Sequence, residues 1–288
     1  MRIPYTEYMR LSSVSGQHRQ FLLLGLDQPM ELAQQLGLTL NTPEDRQQLE
    51  GIFQEIVNAY SSLTTGLVLT AELGYSALNK KSDGAGVVFC LERTLSEIDP
   101  LSIPILQTNW NIEAIRNNFA LAKLALYAHA QEEELITKLE LVNELSDSCR
   151  YEGIDFMLEL RVVDGSRASD DDFQEQQLRL IRLFRTQADA LVLEYPRTAL
   201  GCLSVTAQAQ MPWIVVLPQK DTYVEAKEKL RNALTGGASG LVVGSLVLPS
   251  FKRGEFSLDA LRAFLQKEGR DRLVELGRIC AETVGTGG

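Results

Sequence analysis

The sequence predicts an α/β protein that folds as a (β/α)8 TIM barrel with an extra C-terminal helix. Three observations favour this fold. Short apolar runs recur eight times along the chain, and stretches with helical spacing separate them. The runs also begin roughly 31 residues apart on average, a plausible length for one strand and its helix. A doubly wound sheet built from the same units is the alternative.

The eight apolar runs are the predicted strands. Several are almost continuously apolar, as is typical of parallel strands buried on both faces. The predicted strands are Phe21–Leu26, Gly66–Leu69, Val87–Leu91, Leu121–Tyr127, Asp155–Leu160, Ala190–Leu193, Trp213–Leu217 and Gly240–Val243. The step between the second and third starts is only 21 residues, which leaves little room for a full helix.

Helices are predicted between the strands from capping residues and apolar spacing. Thr42 and Asp45, with Pro43 in the first turn, resemble a helix start. The acidic residues of Asp170–Asp172 favour capping of another helix over metal binding, because a helix N-terminus attracts negative charge. The predicted helical segments are Arg46–Tyr60, Glu132–Glu152, one beginning at Asp170–Asp172, and a C-terminal one from Ser257 to about Glu282.

The whole chain, residues 1–288, is predicted to be a single barrel domain. Residues 1–20 form an N-terminal extension, residues 21–250 the barrel, and residues 251–288 a C-terminal helical extension. The length alone would fit two domains, but single α/β barrels reach this size, and the sequence contains no linker rich in proline or glycine.

Charge and composition exclude several classes of function. The chain has 28 Lys and Arg against 38 Asp and Glu, a net charge of −10, which argues against nucleic acid and anionic membranes as partners. No apolar run is long enough to cross a bilayer, and the first twenty residues hold no apolar segment typical of a signal peptide. Four dispersed cysteines and two histidines offer little for a metal site and fit a reducing compartment. We therefore expect a cytoplasmic protein without metal or cofactor.

Lys123 is the strongest candidate for a catalytic residue, because the residues around it in FALAKLALYAH are apolar. In a barrel, function collects at the C-terminal ends of the strands. A desolvated lysine with a lowered pKa can act as a nucleophile or a Schiff-base amine. The alternative is a static ion pair with Glu159 or Asp27.

Three carboxylates are predicted to surround this lysine. Glu159, at the end of the fifth strand, is a candidate general acid or base if burial raises its pKa, and otherwise a salt-bridge partner of Arg161 or Lys123. Asp27 and Glu92, at the ends of the first and third strands, complete the cluster. Lys123, Glu159, Asp27 and Glu92 are the predicted catalytic residues.

A phosphate-binding turn is predicted after the eighth strand. Backbone N–H groups at Gly244 and Ser245 are placed to hold a phosphate, a common feature of barrels after the seventh and eighth strands. Lys220, after the seventh strand, is the candidate cation. The alternative is a glycine that merely permits a tight turn.

The ordered set of strand-end motifs resembles the class I, Schiff-base aldolases of the tagatose-1,6-bisphosphate and sulfofructose-phosphate aldolase type. The stretches that carry the resemblance are LGLDQPMEL, GLVLTAELGYSAL, GVVFCLERT, LAKLALYAH, YEGIDFMLELRVVDG, ADALVLEYP and the tail FLQKEGRDRLVELGRICAETV. The resemblance implies metal-independent cleavage of a phosphorylated ketose through a lysine imine. Its ligands would be phosphorylated sugars or triose phosphates.

The sequence departs from that family at the catalytic lysine. The family motif D-x-L-K-x-E-x-P reads DALVLEYP here, so Val192 stands at the lysine position. A valine has no amine and cannot form the imine. The turns after strands seven and eight, with Lys220 and Ser245, also lack the family's usual Ser/Gly-rich turn and arginine.

Three hypotheses follow from these departures. The first is a degenerate aldolase barrel, a pseudoenzyme that binds a sugar phosphate or a protein partner without cleaving substrate. The second is an active carbon–carbon lyase that uses Lys123 as the amine. The third is a structural scaffold, with a homo-oligomer as its natural form.

Overall fold

A computed structural model describes residues 11–17, 19–38, 42–93, 102–163 and 168–284. Eight parallel strands close into a barrel in chain order. Their bounds are β1 (Phe21–Leu26), β2 (Gly66–Leu69), β3 (Gly86–Cys90), β4 (Leu121–Ala128), β5 (Phe156–Val162), β6 (Ala190–Glu194), β7 (Trp213–Val216) and β8 (Gly240–Val243). The predicted (β/α)8 barrel is confirmed, and the doubly wound alternative is excluded, because β8 pairs with β1.

The strand register fixes which side chains face the barrel interior. Lys123 of β4 pairs with Cys90 of β3 and with Met157 of β5. On the other side of β5, Glu159 pairs with Val192 of β6. Since successive side chains on a strand point to opposite faces, every second residue of each strand belongs to the interior.

The lower half of the barrel interior is a compact apolar cluster. It contains Val14, Phe21, Leu23, Val68, Val88, Cys90, Leu121, Met157, Ala190, Val192 and Ile214, all buried. Val14 comes from the segment before β1 and closes the N-terminal end of the barrel. Gly86 permits this closure, because a Cβ there would lie 2.1 Å from the Ser13 carbonyl oxygen.

Helices surround the barrel and bury their apolar faces against the outer side of the strands. They are α1 (Pro29–Gln35), α2 (Pro43–Tyr60), α3 (Ala71–Gly74), α4 (Ile112–Asn117), α5 (Leu135–Glu152), α6 (Asp170–Phe184), α7 (Ala199–Ala209), α8 (Tyr223–Thr235), α9 (Leu258–Gln266) and α10 (Glu268–Val284). None of the helices in the described ranges is long and apolar enough to cross a membrane.

Two helix starts confirm the predicted capping. The Thr42 hydroxyl accepts a hydrogen bond from the Asp45 N–H, and the Asp45 carboxylate accepts one from the Thr42 N–H, a reciprocal arrangement that satisfies two N–H groups at the start of α2. The acidic residues Asp170–Asp172 form the first turn of α6, where Ser169 is the N-cap.

Two connections differ from a regular strand–helix unit. Between β2 and β3 the chain forms only α3 and a 3-10 turn, Tyr75–Lys80, as the short step predicted. The C-terminal extension was predicted as one helix, but it divides into α9 and α10 at Lys267, whose φ and ψ of −120° and −97° are not helical. A Cβ on Gly269 would lie 1.9 Å from the Tyr60 hydroxyl oxygen, so α10 starts in close contact with α2.

Candidate active site at the C-terminal end of the barrel

A cavity of about 610 Å³ opens where the C-terminal ends of the strands meet. Its walls come from the ends of β1, β5, β6, β7 and β8 and from α1, α6 and α8. Gly25 and Gly244 lie on its floor, and a Cβ on Gly244 would lie 3.2 Å from the Gly25 carbonyl oxygen. The two glycines therefore let β1 and β8 approach closely beneath the cavity.

Lys123 lies in the barrel interior beside two carboxylates. Its Nζ is 2.5 Å from Asp27 Oδ2 and 2.5 Å from Glu159 Oε2. The lysine side chain is only 1% exposed, and it is not one of the residues that line the cavity. Of the two interpretations of Lys123, the ion pair with Asp27 and Glu159 is the one present in the structure.

The protonation of Lys123 differs from the expectation drawn from its apolar neighbours. Burial lowers the pKa of the ammonium group, but Asp27, Cys90 and Glu159 raise it and prevail, so the pKa lies well above its ordinary value. The predicted lowering of the pKa is therefore wrong, because the sequence neighbours are apolar while the neighbours in space are anionic.

Glu159 is held as a carboxylate from two sides. Its Oε1 accepts a hydrogen bond from the Nε of Arg161, and its Oε2 faces Lys123. Burial raises the pKa of Glu159, but Arg161 and Lys123 outweigh it and bring the value to about 2. The proposed rise in the pKa of a general acid is wrong, and the salt-bridge alternative holds for both cations.

Glu92, another of the predicted catalytic carboxylates, has a raised pKa. Burial is the largest cause, Lys123 opposes it, and the result is a pKa of about 7. Glu92 Oε2 has no hydrogen-bond partner within the described chain. The backbone of Glu92 forms an antiparallel bridge with Leu106, and Glu92 is not part of the cavity wall.

Lys220, Gly244 and Ser245, the predicted phosphate-binding residues, all line the cavity. Lys220 is exposed at the rim after β7. The turn after β8 is held from the side by Gln35 of α1, whose amide Nε2 donates to the carbonyl oxygens of Ser245 and Leu248. The structure brings the three residues together, and their role in binding stays a prediction.

Val192 points into the barrel, in the apolar cluster below the cavity. It is 1% exposed and lies between Glu159 of β5 and Ile214 of β7 in the strand register. Glu194, two residues further along β6, is on the same face and lines the cavity. Position 192, where the resemblance to class I aldolases would place a lysine, thus lies below the cavity.

Three charged residues of the cavity wall went unrecognised in the sequence. Glu31 lies in the first turn of α1, Arg197 follows β6, and Lys229 lies in the middle of α8. Arg197 Nη1 is 3.0 Å from Asp170 Oδ1, and Lys229 Nζ is 2.6 Å from Asp221 Oδ1. A search confined to strand ends misses Glu31 and Lys229, because both residues lie on helices.

The residues that the structure describes form no cluster of potential metal ligands. Across the described ranges, no group of three or more His, Cys, Asp or Glu side chains has an arrangement that could hold a metal ion. The four cysteines are buried and unpaired with one another.

Comparison with known proteins identifies the fold but no family. No protein-family profile and no curated protein matches the sequence. The solved structures that resemble it include an archaeal fructose 1,6-bisphosphate aldolase, with a TM-score of 0.68, 13% identity and coverage of 95% of this chain and 98% of that one. A second is an archaeal fructose-1,6-bisphosphate aldolase whose catalytic lysine is covalently bound to the carbinolamine intermediate of its substrate (TM-score 0.67, 13% identity, coverage 94% and 98%).

A third is a fructose-bisphosphate aldolase from Slackia heliotrinireducens (TM-score 0.65, 14% identity, coverage 99% and 94%). At such identities the similarity establishes the fold alone, a barrel like that of these aldolases. The resemblance to class I aldolases, and to their tagatose or sulfofructose type, stays a proposal.

Proposed function

We propose that this aldolase-like barrel binds a phosphorylated sugar in the cavity at its C-terminal end and does not cleave it through a lysine imine. The proposal rests on positions 192 and 123 of the barrel interior, neither of which offers a free amine. The family's lysine position holds Val192, and Lys123 is an ammonium ion paired with two carboxylates at 2.5 Å.

Imine chemistry needs an unprotonated amine that can reach the substrate carbonyl. The nitrogen lone pair attacks the carbonyl carbon, and water leaves as the imine forms. The lone pair of Lys123 is occupied by a proton, since its carboxylate neighbours raise the pKa of the ammonium group. Its side chain is also almost fully buried below the cavity, which speaks against the alternative in which Lys123 is the catalytic amine.

Binding of a sugar phosphate is supported by the shape and the donors of the cavity. A volume of about 610 Å³ falls within the range of roughly 300–1,000 Å³ that is usual for small-molecule sites. Lys220 and the backbone at Gly244 and Ser245 supply a cation and N–H groups on one wall. The carboxylates that also line the cavity are suited to accept hydrogen bonds from sugar hydroxyls.

The first experiment combines borohydride trapping with thermal unfolding. The protein is incubated with dihydroxyacetone phosphate, fructose 6-phosphate, glucose 6-phosphate, fructose 1,6-bisphosphate or tagatose 1,6-bisphosphate, with and without sodium borohydride, and its peptides are mapped by mass. We expect at least one ligand to raise the unfolding temperature, as mass action requires of a ligand that binds the native state, with no reduced adduct. An adduct on Lys123 would refute the proposal in favour of an active lyase.

The same experiment separates binding from a purely structural role. If none of the phosphates stabilises the protein at millimolar concentration, the binding proposal fails and the scaffold hypothesis gains. Lys220→Met should weaken phosphate binding by about tenfold, the order expected for one lost charge-assisted contact. Lys267→Met, which removes an exposed lysine between α9 and α10, is the matched control and should leave binding unchanged.

Val192→Lys tests whether the missing amine is the only obstacle to imine formation. Glu194 lies two residues along the same face and lines the cavity, roughly 6.6 Å above position 192 at the usual strand rise, a distance that an extended lysine side chain spans. We expect borohydride to trap dihydroxyacetone phosphate on the introduced lysine. A folded variant that binds the phosphate but gives no adduct would show that the pocket differs from an aldolase in more than this residue.

A further inference from the structure

A second depression lies on the outer side of the barrel, between α4 and α5. This groove, of about 690 Å³, shares no described lining residue with the cavity at the strand ends. Leu91, directly after β3, and Leu145 of α5 are buried residues of its wall. The partly buried side chains of Leu106, Trp110 and Ile112 also line it and pack against the core. The groove therefore presents an apolar surface that α4 and α5 leave open.

Negative charge borders this groove. Its described lining contains three carboxylates, those of Glu113, Asp147 and Glu152, and neither lysine nor arginine. Outside the lining, Arg116 pairs with Glu152 and Arg150 pairs with Asp147. Two further carboxylates are exposed on α5, those of Glu140 and Glu144. An occupant of the groove is therefore expected to combine apolar side chains with positive charge.

Residues 1–10, which precede the described ranges, join the chain beside the groove. The N–H of Leu11 donates to Asp155 Oδ2 at 2.7 Å. Asp155 comes three residues after the end of α5, and Tyr151 and Glu152 in the last turn of that helix line the groove. The hydrogen bond of Leu11 thus places the start of the preceding segment next to one end of the groove.

The segment is long enough to reach the whole groove from that point. The lining positions of α5 run from Leu145 to Glu152, a rise of about 11 Å along the helix. Ten extended residues span up to about 33–36 Å, roughly three times that rise. Length therefore does not limit which part of the wall the segment can contact.

The composition of residues 1–10, MRIPYTEYMR, matches the chemistry of the groove. Half of the residues are methionine, isoleucine or tyrosine, and two arginines stand against one glutamate. The segment thus carries a positive excess in a chain whose net charge is −10. Its sign is opposite to that of the acidic border of the groove.

We propose that the groove between α4 and α5 is the docking surface for residues 1–10 of the same chain. The apolar and aromatic side chains of the segment pack against Trp110 and Ile112, and its arginines face the carboxylates of the border. The segment also covers Tyr151, whose side chain is 89% exposed. This contact is separate from the cavity, so it adds an interaction surface to the proposed function without depending on it.

Disulfide trapping in the whole chain tests this placement. Thr6→Cys is combined with Ser148→Cys, which puts a thiol at an exposed position of the groove wall. The four native cysteines are buried, so the introduced pair supplies the accessible thiols. Disulfide formation is followed over time by mapping peptides by mass under non-reducing conditions.

The matched control places the second thiol on the other side of the same starting point. Thr6→Cys is combined with Thr186→Cys, an exposed position after α6. Thr186 lies three residues before Asp189, whose Oδ2 accepts a hydrogen bond from the N–H of Phe156, the residue after Asp155, at 2.8 Å. Both target positions are therefore close to the point where the segment begins, and only one of them is in the groove.

We expect the pair with Ser148→Cys to form an intrachain disulfide roughly tenfold faster than the pair with Thr186→Cys, because docking raises the effective concentration of the two thiols. Tyr5→Asp in the first pair should bring its rate to within about twofold of the control, since a carboxylate is unfavourable against an apolar wall with an acidic border. Tyr5→Phe, which keeps the ring, should retain the faster rate.

Three results would overturn the inference. Equal rates for the two pairs would show that the segment does not prefer the groove. A fast rate that persists in Tyr5→Asp would show that the apolar contact is not what holds the segment. A disulfide that forms mainly between two chains would assign the groove to a second copy of the protein instead of the same chain.

These results leave sugar-phosphate binding in the cavity untouched.

Discussion

Replacing Lys123 with methionine tests how much the interior ion pairs contribute to the free energy of unfolding. The ammonium nitrogen is 2.5 Å from a carboxylate oxygen of Asp27 and of Glu159, and its side chain is 1% exposed. Methionine fills a similar volume without charge. Glu159 keeps Arg161 as an ion-pair partner in the variant, whereas Asp27 loses its pairing with Lys123. The variant therefore leaves one buried carboxylate charge uncompensated.

We expect Lys123→Met to lower the free energy of unfolding at pH 7 by about 3–5 kcal/mol, the usual cost when one partner of a buried pair is removed. Urea titrations followed by circular dichroism give this value. Lys220→Met, which removes an exposed lysine at the same end of the barrel, should change it by less than about 0.5 kcal/mol.

The double variant Asp27→Asn/Lys123→Met separates a stranded charge from a packing defect. Neutralising the carboxylate removes the uncompensated charge, so the double variant should recover a large part of the loss. Lowering the pH should likewise narrow the gap between Lys123→Met and the wild type, because protonation of the stranded carboxylate has the same effect. A loss below about 1 kcal/mol, the value usual for exposed pairs, would refute the reasoning, as would a double variant less stable than the single one.

Three further predictions concern separate parts of the molecule. The pKa of Glu92 is about 7, above its ordinary 4.5. Its contribution to the free energy of unfolding is therefore fully present below about pH 4.5 and is lost as the pH rises through 7. Urea titrations across this range should show the free energy of unfolding decline in the wild type and change less in Glu92→Gln. Thr42→Ala should reduce the free energy of unfolding by about 1 kcal/mol through loss of the α2 cap, and Thr42→Ser should not; equal stability of the two would contradict the capping role. Gly86→Ala should lower the free energy of unfolding by about 1–3 kcal/mol, because the new Cβ would be overpacked against Ser13. Gly84→Ala is the control in the same denaturation assay and should be neutral, since no atom lies within 4 Å of its new Cβ.

The barrel could be predicted from the sequence because its strands are continuous apolar runs. The predicted and observed bounds of the first, second and eighth strands are the same, and those of the fourth differ by one residue. Strands buried on both faces leave little ambiguity about where they lie. The break between α9 and α10 was missed, because the apolar spacing of residues 257–282 is helical on both sides of Lys267. The close contacts of Gly269 with Tyr60 and Val247 join it to residues that are distant in the sequence.

The membership of the site was easier to predict than its electrostatics. Barrel topology brings Asp27, Lys123 and Glu159 into contact in the interior, so assigning Lys123 and Glu159 to barrel strands and Asp27 to the end of another was enough to predict their proximity. The directions of the pKa shifts of Lys123 and Glu159 depend on which charges are nearest in space. For Lys123 the decisive partners lie 96 residues before it and 36 after it, and no local pattern contains that distance.

The interior charges also limit how this protein can attract an anionic ligand. Asp27, Lys123, Glu159 and Arg161 form a chain of ion pairs of alternating sign. Lys123 is buried, and the other three residues line the cavity. Two positive and two negative charges cancel, so these pairs add no net attraction for a phosphate, and the protein as a whole carries −10. Long-range electrostatics therefore repel a simple sugar phosphate. Under the proposed function, capture of a sugar phosphate then depends on short-range donors at Lys220 and the β8 turn, which act only once the ligand is inside the cavity.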